Sequence, residues 1–211
     1  MVHRACGDTR GIAALRPRLV FFVCTMEAFL VSTGIVALAE MGDKTQLLAL
    51  ILAVRFRRPI PIVLGIFVAT IVNHGLAGAL GAWLTQVMGP DLLRWVLGAS
   101  FIAMAVWMLI PDTMDEQEEG EEPRWGVFGT TVIAFFLAEM GDKTQIATVM
   151  LAARFDAYYW VVAGTTLGMM LANVPVVYLG ERMTRLVPMR VVHIVSALVF
   201  AVLGALALLP I

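Results

Sequence analysis

The chain has 211 residues, 60% of them hydrophobic and only 15% charged, with a formal net charge of −1; ordinary soluble domains carry about 25% charged residues. The near-neutral charge argues against a nucleic-acid partner, and the absence of a Gly-rich phosphate loop or dinucleotide fingerprint argues against ATP-driven or nicotinamide-dependent chemistry. Two cysteines, Cys6 and Cys24, and three scattered histidines, His3, His74 and His193, make neither a disulfide framework nor a soft-metal motif.

In chain order, residues 1–25 hold four arginines and a short apolar run that imitates a signal peptide. The run merges into the next apolar segment without a cleavage site, so it reads as an upstream extension, non-native or disordered, with Met26 rather than Met1 as the natural start. Three apolar segments follow, at about 28–54, 60–87 and 92–110. A polar linker at 112–124 then carries seven acids, and three more segments run at about 125–153, 158–179 and 191–209. At 1.5 Å per residue each can cross a hydrocarbon core of roughly 30 Å. The linker itself reads as a solvated connector.

The two halves, 26–111 and 125–211, are copies. A shift of 99 residues aligns residues 31–111 with 130–210 without a gap, giving 22 identities in 81 positions, including Arg55 and Phe56 with Arg154 and Phe155, Gly65 with Gly164, Gly81 with Gly180 and Pro111 with Pro210. Each half has three crossings, so the second must enter the membrane from the opposite side. The expected fold is an all-α integral membrane protein whose six transmembrane helices form two inverted three-helix repeats, as in many secondary transporters. Arg55, Arg57, Arg58, Arg124, Arg182, Arg185 and Arg190 fall on one side with the acidic linker, which the positive-inside rule makes the cytoplasm. A bacterial inner membrane, with both termini outside, is the expected location.

The longest shared stretch is LAEMGDKTQ, at 38–46 and again at 137–145. Both copies lie near mid-bilayer, where an acid or lysine costs about 2.5–3.5 kcal/mol on insertion scales, so these groups must face one another or water. On a helix Glu40 and Asp43, like Glu139 and Asp142, share one face. Lys44 and Lys143 stand at i+4 from the glutamates and can form internal ion pairs. Gly42 and Gly141 allow the backbone to open there, and Thr45, Gln46, Thr144 and Gln145 offer neutral oxygen atoms. Four carboxylates and two ammonium groups leave a charge of −2, which balances one divalent cation. The all-oxygen set suits a hard ion such as Mn²⁺, Ca²⁺ or Mg²⁺. Alternate occupancy by metal and protons would give cation–proton exchange. Structural ion pairing between helices is the plainer use of the same charges.

The paired Glu-x-Gly-Asp-Lys-Thr motifs, with an acidic linker between the halves, resemble the Gdt family of small cation exchangers, which has Golgi and bacterial members. The likeness covers the chain from about Met26 onward. It implies Mn²⁺ or Ca²⁺ movement in exchange for protons, Mn²⁺ export in bacterial members, no enzymatic activity and no cofactor, and it implies Glu40, Asp43, Glu139 and Asp142 as metal carboxylates.

Asn73 and His74 lie midway along the second segment, and Asn173 occupies the repeat position of His74; they are candidates for the pathway or for interhelical hydrogen bonds. Gly75, Gly78 and Gly81 read as a close-packing stripe. Partners beyond divalent cations, protons and the lipid bilayer are not indicated, and homo-oligomerisation is open. Two other activities fit parts of the pattern. One is an amino-acid exporter of the lysine-exporter type, pairing a zwitterion with Glu40 and Lys143. The other is a membrane-embedded acid hydrolase using Asp43 and Asp142.

Overall fold

The computed structural model describes residues 17–109, 125–180 and 189–209; most of the expected N-terminal extension and the acidic linker at 112–124 lie outside them. Among the described residues the chain forms eight α-helices and no strand: α1 Pro17–Glu40, α2 Lys44–Phe56, α3 Pro59–Val87, α4 Pro90–Trp107, α5 Gly126–Glu139, α6 Lys143–Phe155, α7 Tyr158–Leu179 and α8 Met189–Leu208. Five of them, α1, α3, α4, α7 and α8, are long and apolar enough to cross a membrane, and α5 is a shorter apolar helix.

Two of the expected continuous segments are broken. The first is α1 followed by α2, and the fourth is α5 followed by α6. Gly42 and Gly141 cause both breaks, with φ of +82° and +77°, a left-handed backbone that no α-helix can pass through. The helix α1 also starts at Pro17, upstream of Met26, so the last part of the expected extension is continuous with it.

Elsewhere the elements follow local rules. Proline stands in the first turn of α3 and of α4, where its missing N–H costs nothing. The helices α2 and α6 end on Arg57 and Asp156 in left-handed conformation, each returning its N–H to a carbonyl of the last turn, Ala53 and Ala152. Helix starts recur at the repeat offset: Lys44 and Lys143, Pro59 and Tyr158, Pro90 and Met189. Pro175 lies inside α7, which runs through it.

Packing is reciprocal between the halves. The α1 helix packs on α7, α3 on α5, and α4 on α8. Phe101 and Phe200, equivalent by repeat, meet with ring centroids 6.2 Å apart in the α4–α8 contact. Without a hydrophobic drive inside lipid, close approach relies on small residues. A Cβ at Gly164 would stand 2.5 Å from the Phe29 carbonyl oxygen and one at Gly78 2.8 Å from Val162, and one at Gly81 would run into the Val149 carbonyl oxygen. The outward faces stay apolar, with Leu76, Trp83 and Leu198 more than half exposed.

These contacts give the helices a direction. Along α3, Gly65 meets Phe128 and Thr131, Asn73 meets Phe136, and Gly81 meets Val149 and Ala152. The helix therefore runs the same way as the α5–α6 pair, with residues 74–78 level with its break. Along α7, Gly164 meets Phe29, Gly168 meets Thr33 and Ala37, and Ala172 meets Gln46, so α7 likewise follows α1–α2.

Candidate cation site at the paired helix breaks

Each break is built the same way. Glu40 and Glu139 are the last residues of α1 and α5, and Asp43 and Asp142 are extended residues at the N-caps of α2 and α6. Glu40 and Asp43 therefore do not share a helix face, nor do Glu139 and Asp142: the i, i+3 relation holds only on an unbroken helix. Backbone bonds close each turn, Asp43 N–H to the Glu40 carbonyl and Asp142 N–H to the Glu139 carbonyl, both at 3.1 Å. The glutamines brace it, with the Gln46 and Gln145 side-chain oxygens accepting from Gly42 N–H at 3.0 Å and Gly141 N–H at 2.7 Å. Gln46 also donates across the halves to the Ala172 carbonyl at 2.9 Å. The glutamine oxygens, expected to be free, thus have structural work at the turn.

The threonines act on the glutamates. The Thr45 hydroxyl donates to Glu40 Oε2 at 2.6 Å and the Thr144 hydroxyl to Glu139 Oε2 at 3.0 Å. Both glutamates are fully buried, and in each the other oxygen, Oε1, has no hydrogen-bond partner. Burying an acceptor of this kind is costly unless a proton or cation completes it.

Among the described residues, ligand atoms of Glu40, Glu139 and Asp142 lie within 4.8 Å of one another. Two unit charges at that separation repel by about 3 kcal/mol at an effective dielectric of 20, so the cluster is suited to hold a cation. One carboxylate comes from the first repeat and two from the second. Asp43, the repeat partner of Asp142, is also buried but is not in this group.

The lysines depart from the expected i, i+4 pairing. Lys44 reaches across to the other repeat, its ammonium 2.9 Å from Asp142 Oδ1, because the break turns α2 away from Glu40. Lys143 is buried, with its ammonium 6.0 Å from the centre of the Trp107 ring, a cation–π distance.

Beside the α5–α6 break, Asn73 donates to the Phe136 carbonyl at 3.1 Å, one turn before Glu139. His74, the next residue, is fully buried with neither ring nitrogen hydrogen-bonded. Asn173 turns onto its own helix, donating to the Met169 carbonyl at 3.1 Å. Sequence reasoning passed over Thr70 and Thr166, buried hydroxyls without hydrogen-bond partners; Thr70 stands one turn before His74, a polar spacing that could have flagged it. It also missed Trp107 beside Lys143 and the Ala172 carbonyl under Gln46. The Gly75–Gly81 stripe does pack closely, with Tyr158 donating to the Gly75 carbonyl at 3.2 Å.

A family model described as "Divalent cation/proton antiporter GDT1" matches residues 28–116 and 127–211. The chain belongs to the GDT1 family. The family comprises cation/proton antiporters, not enzymes, and this membership gives no support to the amino-acid exporter or the acid hydrolase. A protein of Vibrio cholerae named "Putative manganese exporter" is 51% identical over 180 residues, covering 85% of this chain and 89% of that protein. A GDT1-like protein of Synechocystis is 29% identical over 194 residues, covering 83% of this chain and 93% of its own. A GDT1-like protein of rice is 25% identical over 199 residues, covering 82% and 71%. No solved structure matches the chain.

Proposed function

We propose that the chain exchanges Mn²⁺ for protons across a bacterial inner membrane and exports Mn²⁺ from the cytoplasm, with Ca²⁺ as a second candidate cargo. The observation that carries this reading is the approach of three buried carboxylates, Glu40, Glu139 and Asp142, within 4.8 Å at two helix breaks from different repeats. The exchange follows from the donor set. A divalent ion held by carboxylates competes with protons for the same oxygens, so loading metal releases protons and loading protons releases metal. Hard oxygen donors suit Mn²⁺, and the Vibrio relative bears a manganese-exporter name. Asp43 is the reserve ligand, placed by sequence symmetry where Asp142 stands in the other half. Asn73, His74 and Asn173 flank the breaks as candidate pathway residues.

The membrane arrangement we infer is six crossings, with each broken pair, α1–α2 and α5–α6, making one. The two-residue connection between α2 and α3 favours an antiparallel pair, and α3 runs along α5–α6. Together these turn the second repeat upside down relative to the first. Broken helices at mid-membrane are a recurrent way to build ion sites in such transporters. Arg55, Arg57 and Arg58 with the acidic linker then face the cytoplasm.

Reconstituted protein tests this reading. Proteoliposomes with an imposed pH gradient should move Mn²⁺ uphill, and Glu40→Gln, Glu139→Gln or Asp142→Asn should abolish the flux. Unimpaired transport by all three variants would refute the site.

A further inference from the structure

The two motif copies are identical in sequence, yet their lysines are not in the same situation. Lys44 is about one-third exposed (31%) and crosses to the opposite repeat, whereas Lys143 is 3% exposed. The Lys44 ammonium contacts Asp142 Oδ1 at 2.9 Å, and Asp142 is one of the three clustered carboxylates. A carboxylate engaged with an ammonium at that distance has surrendered one of its strongest acceptor positions. Lys44 and a divalent ion therefore draw on the same oxygen pair.

We propose that Lys44 is a tethered counter-cation: it neutralises part of the cluster when no metal is bound, and gives up Asp142 when a divalent ion enters. The proposal rests on the reading of Glu40, Glu139 and Asp142 as the cargo site. One feature makes Lys44 rather than Lys143 the mobile charge: its side chain is about one-third exposed, so it has room to swing away from Asp142. Lys143 is enclosed, with its charge over the Trp107 ring. The functional consequence is a lowered affinity. Every bound cation must displace an internal one, so cargo leaves readily at the far side, and the empty site crosses back without its full negative charge exposed.

Equilibrium binding of Mn²⁺ to the purified full chain, by titration calorimetry or dialysis, tests this. Lys44→Gln should bind Mn²⁺ about tenfold more tightly than the unmodified protein, within the 5–150-fold range usual for coupled binding events. Its turnover in proteoliposomes should fall together with KM, and Lys44→Arg should restore both towards their original values. Lys44→Gln that is monodisperse and folded yet binds Mn²⁺ equally or more weakly overturns the proposal. A second measurement needs no variant. Amine labelling of the unmodified chain, read by mass spectrometry, should increase at Lys44 on saturation with Mn²⁺; unchanged or reduced labelling there overturns the proposal. Glu139→Gln separates the two readings: if it binds Mn²⁺ as the unmodified chain does, the cargo site itself is wrong. A loss in Glu139→Gln with no gain in Lys44→Gln removes only the counter-cation.

Discussion

Replacing Thr45 by valine keeps the shape of the side chain and deletes one hydroxyl. That hydroxyl donates to Glu40 Oε2 at 2.6 Å inside a fully buried environment, within the range for a hydroxyl bonded to a carboxylate. Hydrogen bonds to charged groups contribute about 1.5–3 kcal/mol. Glu40 Oε1 has no hydrogen-bond partner, and Thr45→Val removes the short bond that holds Oε2. A bound Mn²⁺ would then have to order the carboxylate without that bond. At about 1.4 kcal/mol per factor of ten, Thr45→Val should weaken Mn²⁺ affinity between about 10-fold and, as a ceiling, about 100-fold. Thr144→Val removes the longer 3.0 Å bond to Glu139 and should weaken it less. Thr45→Ser, which keeps the donor, should stay close to the unmodified protein. The assay is Mn²⁺ titration of purified protein, paired with KM in proteoliposomes and a thermal melt. Thr45→Val that melts normally and binds Mn²⁺ with unchanged affinity would refute the idea that the threonine holds Glu40 for a cation.

Gly141→Ala isolates backbone strain, because its φ is +77° and an added Cβ meets nothing within 4 Å. It should cost about 1–2 kcal/mol and reduce Mn²⁺ flux more than thermal stability, measured side by side; full flux would show that the break need not hold this shape. Gly168→Val should block the α1–α7 approach, since its Cβ would lie 2.6 Å from the Thr33 carbonyl oxygen and 2.9 Å from Ala37 N, an overpacking cost of about 1–3 kcal/mol. Gly34→Ala, with nothing within 4 Å, should be tolerated, and folded yield by size-exclusion chromatography separates the two. Lowering the pH on the loading side should raise KM for Mn²⁺ with little change in the maximal rate, because protons and metal compete for the same carboxylates; a KM independent of pH would contradict shared ligands.

Much of the architecture was legible in the residues. The apolar runs, the 99-residue repeat and Pro59 and Pro90 mark helices close to where they stand, and Gly42 and Gly141 mark where the backbone opens. The site was legible in composition but not in geometry. The rule that places Glu40 beside Asp43 and Lys44 presumes a continuous helix, and the left-handed glycine between them rotates α2 out of that relation. Lys44 therefore finds Asp142, ninety-eight positions away, through a packing of α1–α2 against the other half that no local pattern encodes. Sequence symmetry also cannot distinguish Asp43 from Asp142, although only the second joins the two glutamates. Gln46 and Gln145 looked like spare ligands because the donors to their side-chain oxygens, the Gly42 and Gly141 N–H groups, are in place only once the turn has formed.

The central claim is that one cation is shared by carboxylates of both repeats. A Mn²⁺-soaked crystal, with data collected at the manganese absorption edge, addresses it directly. A single anomalous peak within ligand distance of Glu40, Glu139 and Asp142 is the predicted result; peaks confined to one repeat, or to the surface with the three carboxylates untouched, would contradict it.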